Sequence, residues 1–452
     1  MTNLEEIRRV LGHREFRMLW LAQSSSVIGD NIVLVALALF VVGLTGSASD
    51  LGLVLAAHAL SLVAFLLLGG VWADRLPRHR VMIVTDLVRF TLHATLAALI
   101  FTGSVRIWEV IVIEVIFGGA EAFFRPAANG LLPQTVPEAD IQQATAITTM
   151  SNNVSEFAGP ALATALVLGA GAGWAFALDA ATFLASAAFL SRVRPRSRAA
   201  HSGSRAAHSG GPPSAAANET EGAAVLAPEA QVGVLEGIRA GSREVRSRVW
   251  VWATLASFCV ALFCGLAPWF VLGPLVAREQ YGHIAVYGVV EAALGFGTII
   301  GSFVGVLWRP RFPMRQAMLA ILVWPPAAIL YAAGVTLVLV IPATILAGVG
   351  FALFDVWWLT ALAERIPPQA LSRVSSFDWM VSCALLPLGY VLAGPLAGHL
   401  GAVDVLIGGS ALAFVASALG LLPHETRMLE RLRVVDPVPL GEDTARGLTH
   451  RY

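Results

Sequence analysis

The chain is 452 residues long, 57% of its residues are hydrophobic, and only 13% are charged. Soluble globular domains carry roughly 25% charged residues, and a water-soluble core cannot hide this much apolar surface. The 30 basic and 30 acidic residues balance. The composition therefore excludes a cytosolic enzyme, a disordered scaffold and a basic nucleic-acid-binding protein, and it indicates that lipid is the main solvent of the chain.

The N-terminal segment, residues 1–16, is charged and leads into apolar sequence without a small-residue cleavage site, so we expect no cleaved signal peptide. A helix needs roughly 20 apolar residues to cross a membrane, and the apolar stretches of this chain are too long and too evenly apolar for barrel strands. They predict twelve transmembrane helices, at 17–43, 50–73, 81–102, 107–131, 143–168, 171–192, 249–276, 284–307, 315–334, 336–362, 373–398 and 402–422.

Asp30 and Asn31 form a polar patch near the middle of the first predicted span. A charge at mid-bilayer costs about 2.5–3.5 kcal/mol, so it must be paired, neutralised or exposed to water. A proton carrier needs a carboxyl group that binds a proton when its surroundings dry out and releases it when they are hydrated or meet a cation. Asp30 is therefore the first proton-coupling candidate, and Asn31 is a candidate for the cavity wall. The alternative is a structural hydrogen bond to a neighbouring helix.

The loop between spans two and three has the sequence GVWADRLPRHR, and it predicts a cytoplasmic gating loop. Its acidic residue can reach an arginine or the positive N-terminal end of a neighbouring helix, and such a pair can latch two halves in one state and release them in another. The alternative for the arginines is a simple topological anchor. The predicted gating residues are Gly70, Asp74, Arg75, Arg78 and Arg80.

Further charges lie inside the predicted spans. Asp86 and Arg89, three residues apart in span three, are predicted to join the cytoplasmic gating network. Glu121 and Arg125 are four apart in span four, in the order that favours a helical ion pair, and Glu121 is a further proton-coupling candidate. An internal alignment of the halves sets Arg125 opposite Asp355 in span ten. Either the span-four pair is static, or Arg125 alternates between Glu121 and Asp355.

Glu156 lies near the centre of span five and is the second proton-coupling candidate. Gly159-Pro160, three residues later, is a predicted helix-packing motif. Weaker candidates are Asp179 in span six and Glu291 in span eight. His58 and His93 lie mid-span and could titrate, but a hydrogen-bonded packing role is favoured for both.

Aromatic residues offer apolar area for a flat or amphipathic substrate. The substrate-cavity candidates of this kind are Phe124, Trp357 and Trp358. The alternative is ordinary packing between helices.

A hydrophilic segment, residues 193–247, divides the chain. Its low complexity predicts a largely disordered linker that ends in an interfacial helix. His201 and His208 fall in a duplicated linker heptad, which is favoured over a metal site, so no metal site is predicted. The halves, 17–192 and 248–422, match at Phe124–Pro137 and Phe354–Pro367, although apolar helices can match by chance. The tail is 423–452.

Arginines are concentrated in alternate loops, and the opposite loops hold only Arg106 and Arg278. By the positive-inside rule, both termini are expected to be cytoplasmic. Two six-helix repeats joined by a cytoplasmic linker are typical of a transporter whose substrate site lies near the midplane between the halves.

The loop at residues 70–80 is similar to the signature G-x-x-x-D-R-x-G-R-[RK] of the major facilitator superfamily, and the six-plus-six plan agrees with it. The stretches FRMLWLAQ at 16–23, FRPAANGLLPQTVP at 124–137 and FALDAATF at 176–183, with Gly29-Asp30, resemble the drug:proton antiporter branch that includes macrolide and siderophore exporters. The resemblance implies two pseudo-symmetric six-helix bundles and efflux driven by proton entry.

The chain departs from the family pattern at three places. Pro77 stands where the loop signature has Gly, and Glu114 stands where the span-four motif R-x-x-Q-G has Arg. Span five keeps Gly159-Pro160 but lacks the glycines around them. These departures weaken the inferred direction of transport more than the fold.

We therefore expect an all-α membrane protein of twelve transmembrane helices that exports small amphipathic molecules from a bacterial cytoplasmic membrane, with the proton as coupling ion and no resident cofactor. Its expected partners are a small-molecule substrate and membrane lipid, not nucleic acid, and we expect a monomer. The alternatives are an importer or lysophospholipid flippase on the same fold, and a non-transporting membrane sensor. An enzyme is least favoured, because no nucleophile–base or metal constellation appears in the spans.

Overall fold

The computed structural model describes residues 3–194, 242–243, 245–366 and 368–431, without the side chains of 3–7, 67–75, 157, 306 and most of 368–384. Within these ranges the chain is helical, and no β-strand occurs. The predicted disordered linker and most of the predicted interfacial helix before span seven lie outside the described residues. So does most of the tail.

The first half contains seven helices. A short amphipathic helix precedes six long ones that match the first six predicted spans, and α2 ends at Gly46, whose left-handed backbone (φ 66°) closes the helix. Their bounds are α1 Asn3–Gly12, α2 Arg14–Thr45, α3 Ala48–Arg75, α4 Arg78–Thr102, α5 Ile107–Leu131, α6 Ile141–Gly169 and α7 Ala172–Leu190.

The second half matches the last six predicted spans with two interruptions. Span seven is α8 Val249–Ala261 and α9 Ala267–Tyr281, joined by a π-helical turn at Leu262–Leu266, and it extends past its predicted end. Span nine is broken at 322–323 into two short helices, and a last short helix follows span twelve. The remaining bounds are α10 Ala285–Leu307, α11 Pro313–Ile321, α12 Trp324–Ala332, α13 Leu337–Arg365, α14 Pro368–Leu400, α15 Ala402–Leu419 and α16 His424–Met428.

Nine segments of the described chain are long and apolar enough to cross a membrane. The helices at predicted spans four, five and eleven are not among them. Span four (α5) carries four charged residues, span five (α6) begins with polar residues, and only 385–400 of span eleven (α14) counts as an apolar helix in the described chain. The count of twelve crossings and the cytoplasmic location of the termini therefore stay predictions.

The hydrophobic core shows how the halves meet. We call the side on which α7 ends at Leu190 and α8 begins at Val249 the linker side, and the opposite side the far side. One continuous apolar cluster on the far side contains buried residues of both halves, for example Leu51 and Val271. On the linker side each half has its own cluster, centred on residues such as Phe16 and Trp357. The halves therefore pack together on the far side and separate on the linker side.

Two helix pairs form most of this far-side contact, α3 with α14 and α6 with α10. Glycines allow the close approach. A Cβ at Gly394 would lie 2.4 Å from Ser49 Cα, and a Cβ at Gly288 would lie 1.9 Å from Thr164 Oγ1. Both distances are shorter than any ordinary contact, so a side chain at either position would push the halves apart.

Candidate functional site

A polar cavity of about 620 Å³ lies among the helices of the first half. It extends from Leu37 and Leu55, on the far side of mid-depth, to Leu132 and Thr145 near the linker side. This cavity, called the pocket below, contains nearly all of the charged side chains that the first half carries at membrane depth. Its charged and histidine lining is Asp30, His58, Arg89, Glu114, Glu121, Arg125 and Glu156.

Helix α2 provides one wall. Asp30 and Asn31 both line the pocket, as the sequence predicted, and Asp30 is 34% exposed. Arg89 Nη1 of α4 lies 3.8 Å from Asp30 Oδ2. Gly29 packs directly against Asp179 of α7, because a Cβ at Gly29 would lie 2.1 Å from Asp179 Oδ1. The Gly29-Asp30 pair thus places a pocket carboxylate beside a buried one.

Arg89 is 1% exposed and ties three helices together. Its Nη2 donates a hydrogen bond of 2.7 Å to Asp86 Oδ1, and Ser186 Oγ donates one of 2.6 Å to Asp86 Oδ2. The guanidinium also lies over the rings of Phe124 and Phe183, at 4.2 and 4.5 Å from their centroids. Asp86 and Arg89 are therefore paired with each other and fully buried, and Arg89 reaches the pocket. Their predicted membership of the cytoplasmic gating network stays a prediction.

His58 of α3 bridges two carboxylates of α5. Its Nδ1 lies 3.0 Å from Glu114 Oε2 and its Nε2 lies 3.1 Å from Glu121 Oε2. The sequence reasoning favoured a hydrogen-bonded packing role for this histidine. In the structure it is hydrogen-bonded to a carboxylate and also lines the pocket. The residue that replaces the family's span-four arginine, Glu114, is one of its two partners.

His93 of α4 continues the same set of contacts into the protein interior. The ring stacks on Phe117 with centroids 4.3 Å apart, and its Nδ1 is hydrogen-bonded to Asp179 Oδ2. Its Nε2 faces Glu114 Oε1 at 3.8 Å. The histidine and Asp179 are both fully buried, so the weak sequence candidate Asp179 belongs to the charge cluster of the first half.

Sequence reasoning named His58 and His93 as residues that could titrate and Glu114 as a departure from the family motif. It did not connect the three, because each was considered separately. Positions 114, 117, 121 and 125 share one face of a helix, as do 86, 89 and 93, because side chains three or four apart are neighbours. A search for titratable residues at helical spacing in spans three and four would have identified both faces.

Glu121 and Arg125 form the ion pair that their spacing predicts. Glu121 Oε1 is 2.7 Å from Arg125 Nε and 2.6 Å from Arg125 Nη2. Asp355 is exposed on α13 of the other half, within electrostatic range of Glu156. The predicted exchange of Arg125 between Glu121 and Asp355 stays a prediction.

Glu156 is exposed on α6 and lines the pocket together with Thr145, Thr148 and Asn152 of the same helix. The helix-packing motif places Gly159 against α2, where a Cβ would lie 2.4 Å from Asn31 Cβ. The carbonyl oxygen of Pro160 accepts a hydrogen bond of 2.8 Å from Thr164 Oγ1. The motif therefore brings the two pocket walls that carry Asp30 and Glu156 close together.

Only part of the predicted gating loop can be described. Gly70, Asp74 and Arg75 fall in the stretch 67–75, whose side chains are not described. Arg78 donates a hydrogen bond to the carbonyl oxygen of Gly130 near the end of α5, and Arg80 is exposed. The loop therefore contacts the linker-side end of span four, and the latch role of Asp74 stays a prediction.

The three aromatic candidates separate. Phe124 lines the pocket, but Trp357 and Trp358 lie in the linker-side apolar cluster of the second half, 2% and 4% exposed. Trp357 packs edge-on to Trp308, and Trp358 Nε1 donates to Asp378 Oδ2 at 3.0 Å. Both tryptophans are packing residues in this conformation and do not line the pocket, because their face of α13 points into the second bundle.

A further charge cluster lies outside the spans, at the linker-side end of the first half. Asp140, in the connection between α5 and α6, accepts from Arg9 Nη2 at 2.7 Å and lies 2.9 Å from His13 Nε2. The hydrogen bond with His13, supported by Arg9, lowers the pKa of Asp140. The cluster holds α1 against the bundle. In the part of the chain that the structure describes, no group of His, Cys, Asp and Glu is arranged to hold a metal ion.

Two solved structures that resemble this chain are those of transporters. A crystal structure of a point mutant of the nucleoside transporter NupG has a TM-score of 0.70 and 13% sequence identity, and the match covers 90% of this chain and 98% of NupG. A bacterial homologue of the human lysosomal transporter Spinster, inward-facing and unoccupied, has a TM-score of 0.67 and 16% identity, covering 93% and 99% of the two chains. At these identities the likeness shows the fold alone.

Curated relatives match over shorter stretches. The MFS-type transporter YfiS of Bacillus subtilis (strain 168) is 29% identical over 170 residues, covering 37% of this chain and 40% of YfiS. Macrolide efflux protein A of Streptococcus pyogenes is 28% identical over 155 residues, covering 34% of this chain and 38% of the relative. The match thus spans about two fifths of each of these relatives.

The family model of the Major Facilitator Superfamily matches residues 19–390. That range begins in α2 and ends in α14, so it contains both walls of the pocket and the far-side contact between α6 and α10. The chain belongs to the major facilitator superfamily.

Proposed function

We propose that this chain is a secondary active transporter that couples proton entry to the efflux of small amphipathic molecules across a bacterial cytoplasmic membrane. The observation that carries the proposal is the pocket of the first half, which combines four carboxylates, two arginines and His58 with Phe124. A structural ion pair would need only two such groups. The similarity to macrolide efflux protein A supports export as the direction.

The pocket residues suggest how a proton and a substrate compete. Asp30 lies 3.8 Å from Arg89, so a proton on Asp30 removes the charge–charge attraction between these two side chains of α2 and α4. Glu156 is an exposed carboxylate in the same pocket, where it can meet a proton or a cationic group of a substrate. The same set of charges can thus hold either a proton or a cationic or amphipathic substrate, so the two compete for the pocket.

Alternating access supplies the link to transport. The halves share one apolar core on the far side and are separated on the linker side. Rocking of the two halves about the pocket would close the linker side and open the far side. The driving force is sufficient, because each proton carries about 2.3 kcal/mol per 100 mV of membrane potential and about 1.4 kcal/mol per pH unit.

The experiment measures efflux from energised cells that are loaded with ethidium, a macrolide or a catecholate siderophore, with and without a protonophore. It compares the native chain with Asp30→Asn, Glu156→Gln and the control Glu279→Gln, which changes an exposed carboxylate at the end of α9. We expect protonophore-sensitive efflux that Asp30→Asn abolishes at equal expression and Glu279→Gln leaves unchanged.

Other results have definite meanings. Efflux that persists in Asp30→Asn assigns the coupling proton to Glu156 or Glu121. Accumulation of a probe in energised cells favours the importer, which the similarity of fold to the nucleoside transporter NupG makes the second candidate. If the native chain moves none of the three probes in either direction, drug efflux is rejected.

A further inference from the structure

A run of carboxylates and histidines, with one gap of 3.8 Å between Glu114 and His93, leads from the pocket into the interior of the first half. We call Glu121, His58, Glu114, His93 and Asp179 the histidine–carboxylate chain. The first three contacts along it measure 3.1, 3.0 and 3.8 Å, and the last is the hydrogen bond from His93 to Asp179. Glu121, His58 and Glu114 line the pocket, whereas His93 and Asp179 are fully buried.

The order of groups along this chain suits proton transfer. An imidazole can accept a proton on one ring nitrogen and release another from the second nitrogen, and each histidine here faces a carboxylate at both nitrogens. Packing a histidine requires only one hydrogen bond. Phe117, Phe176 and Phe183 surround His93 and exclude water from the inner end.

The inner end returns to the wall of the pocket. Asp179 packs against the backbone of α2 at Gly29, where only glycine leaves room for its carboxylate, and the next residue is Asp30. Arg89 of α4, the cation beside Asp30, is paired with Asp86 one turn earlier in the same helix. The inner carboxylate is therefore close to the charges that surround Asp30. A proton on Asp179 therefore changes the field at Asp30.

We propose that the histidine–carboxylate chain is a buried proton-binding relay that takes a proton from the pocket at Glu121 and stores it on Asp179 beside Asp30. This inference rests on the proposed proton coupling and adds a second proton site to it. The cations that face the relay are Arg125 at its outer end and Arg89 at its inner end.

Each transfer conserves protons and breaks no bond between heavy atoms. Protonated Glu121 gives its proton to His58 Nε2, and His58 releases its Nδ1 proton to Glu114. Glu114, after its carboxyl group rotates, gives the proton to His93 Nε2, and His93 releases its Nδ1 proton to Asp179. One proton has then moved from the pocket to Asp179, and it leaves by the reverse steps.

The structure shows one open link in this relay. His93 Nε2 and Glu114 Oε1 are buried, face each other at 3.8 Å and have no hydrogen-bond partner among the described residues. A hydrogen bond needs a distance shorter by roughly 1 Å. The relay is therefore interrupted between α4 and α5 in this conformation, and a small shift of these helices connects it.

The experiment uses the full chain reconstituted in liposomes with ethidium as the probe. Two rates are measured, net transport driven by an imposed pH gradient and equilibrium exchange of ethidium without a gradient. Exchange does not require the proton to be bound and released, so it reports substrate handling alone. The variants are His93→Gln and His58→Gln, and the control is His399→Gln, an exposed histidine of the second half.

We expect His93→Gln to reduce driven transport at least tenfold while exchange stays within twofold of the native rate, and His399→Gln to change neither. Driven transport at the native rate in both His93→Gln and His58→Gln would overturn the relay. Equal loss of both rates in both variants would also overturn it, because that pattern belongs to a packing role. If the native chain neither transports nor exchanges ethidium, the result contradicts the proposed function rather than the relay.

A measurement without substrate tests the relay in that last case. Infrared difference spectra of the purified chain between pH 8 and pH 5 are expected to contain bands of protonated carboxyl groups, from the pocket as well as from the relay. Asp179→Asn should remove one of these bands and leave the others, and His93→Gln should weaken the same band. Spectra that are identical in the native chain and in Asp179→Asn would overturn the relay whatever the substrate is.

Discussion

Arg89 is a fully buried cation that lies beside two carboxylates of the first half. It contacts Asp86 at 2.7 Å and Asp30 at 3.8 Å, and it fills the space between two aromatic rings. A buried ion pair adds little net stability, but removing one partner strands the other in a low-dielectric site. The arginine is therefore a structural requirement of the pocket as well as part of its electrostatics.

We predict that Arg89→Leu lowers the free energy of unfolding by about 3–5 kcal/mol, because Asp86 is left buried without its cation. Denaturant unfolding in detergent measures this loss. The matched control is Arg309→Leu, at an exposed position, which should change the free energy by less than about 0.5 kcal/mol. The double variant Arg89→Leu/Asp86→Leu should recover much of the loss, and equal stability of the two single variants would contradict the prediction.

A pH dependence follows from Asp140. Its pKa is lowered in the folded chain by His13 and Arg9, so its stabilising effect is fully present above the unfolded pKa of about 3.9 and is lost as pH falls through the lowered value. We predict that Asp140→Asn lowers the melting temperature by a few degrees at pH 7 and that this difference disappears toward pH 2. Thermal unfolding across that range is the test, with Glu279→Gln as control. A difference that persists in strong acid would contradict it.

The sequence predicted those site residues that are recognisable from their polarity and their position within one span. It did not predict those whose role depends on contacts with another helix. Asp30, Asn31, Glu121, Arg125 and Glu156 stand out as polar residues in apolar sequence, and all of them line the pocket. The contacts of His58 and His93 cross between helices, and a single sequence carries no record of such contacts. The latch assigned to Asp74 stays a prediction.

At the scale of helices, hydropathy located the long elements to within a few residues, because lipid selects apolar stretches of one length. It did not predict the π-helical turn in span seven or the break in span nine. Both depend on local backbone hydrogen bonding and on neighbours, such as Trp324 against Gly265, which hydropathy does not report. Hydropathy likewise did not predict that α3 packs against α14 on the far side.

We predict that Gly394→Leu shifts the conformational balance of the two halves. The Cβ would lie 2.4 Å from the Ser49 backbone, so α3 and α14 must separate on the far side and the linker side should close by several ångström. Spin labels at Thr145→Cys and Arg309→Cys, in a variant without native cysteines, report the linker-side distance. The control is Gly408→Leu, whose Cβ would meet nothing within 4 Å. An unchanged distance distribution in a folded Gly394→Leu protein would exclude this mechanism.

For the whole molecule, the two separate linker-side cores and the single far-side core show that the halves are joined on the far side and separated on the linker side in this conformation. Which compartment each side faces is a question of charge. The linker-side ends of the described helices carry Arg14, Arg78, Arg192 and Arg365, whereas the far-side ends carry Arg106 and Arg278. Basic residues are retained on the cytoplasmic side of a membrane, so the linker side should face the cytoplasm.

We predict from this asymmetry that a green fluorescent protein fused after residue 431 fluoresces and that alkaline phosphatase at the same position is inactive, because the first matures in the cytoplasm and the second requires export. Alkaline phosphatase inserted at Ser104, between α4 and α5 on the far side, should be active. The two positions control for each other, since expression level affects both reporters alike. Active phosphatase after residue 431 would show the opposite orientation. The linker side, on which the halves are separated, would then face outward, and the pocket would accept substrate from outside the cell.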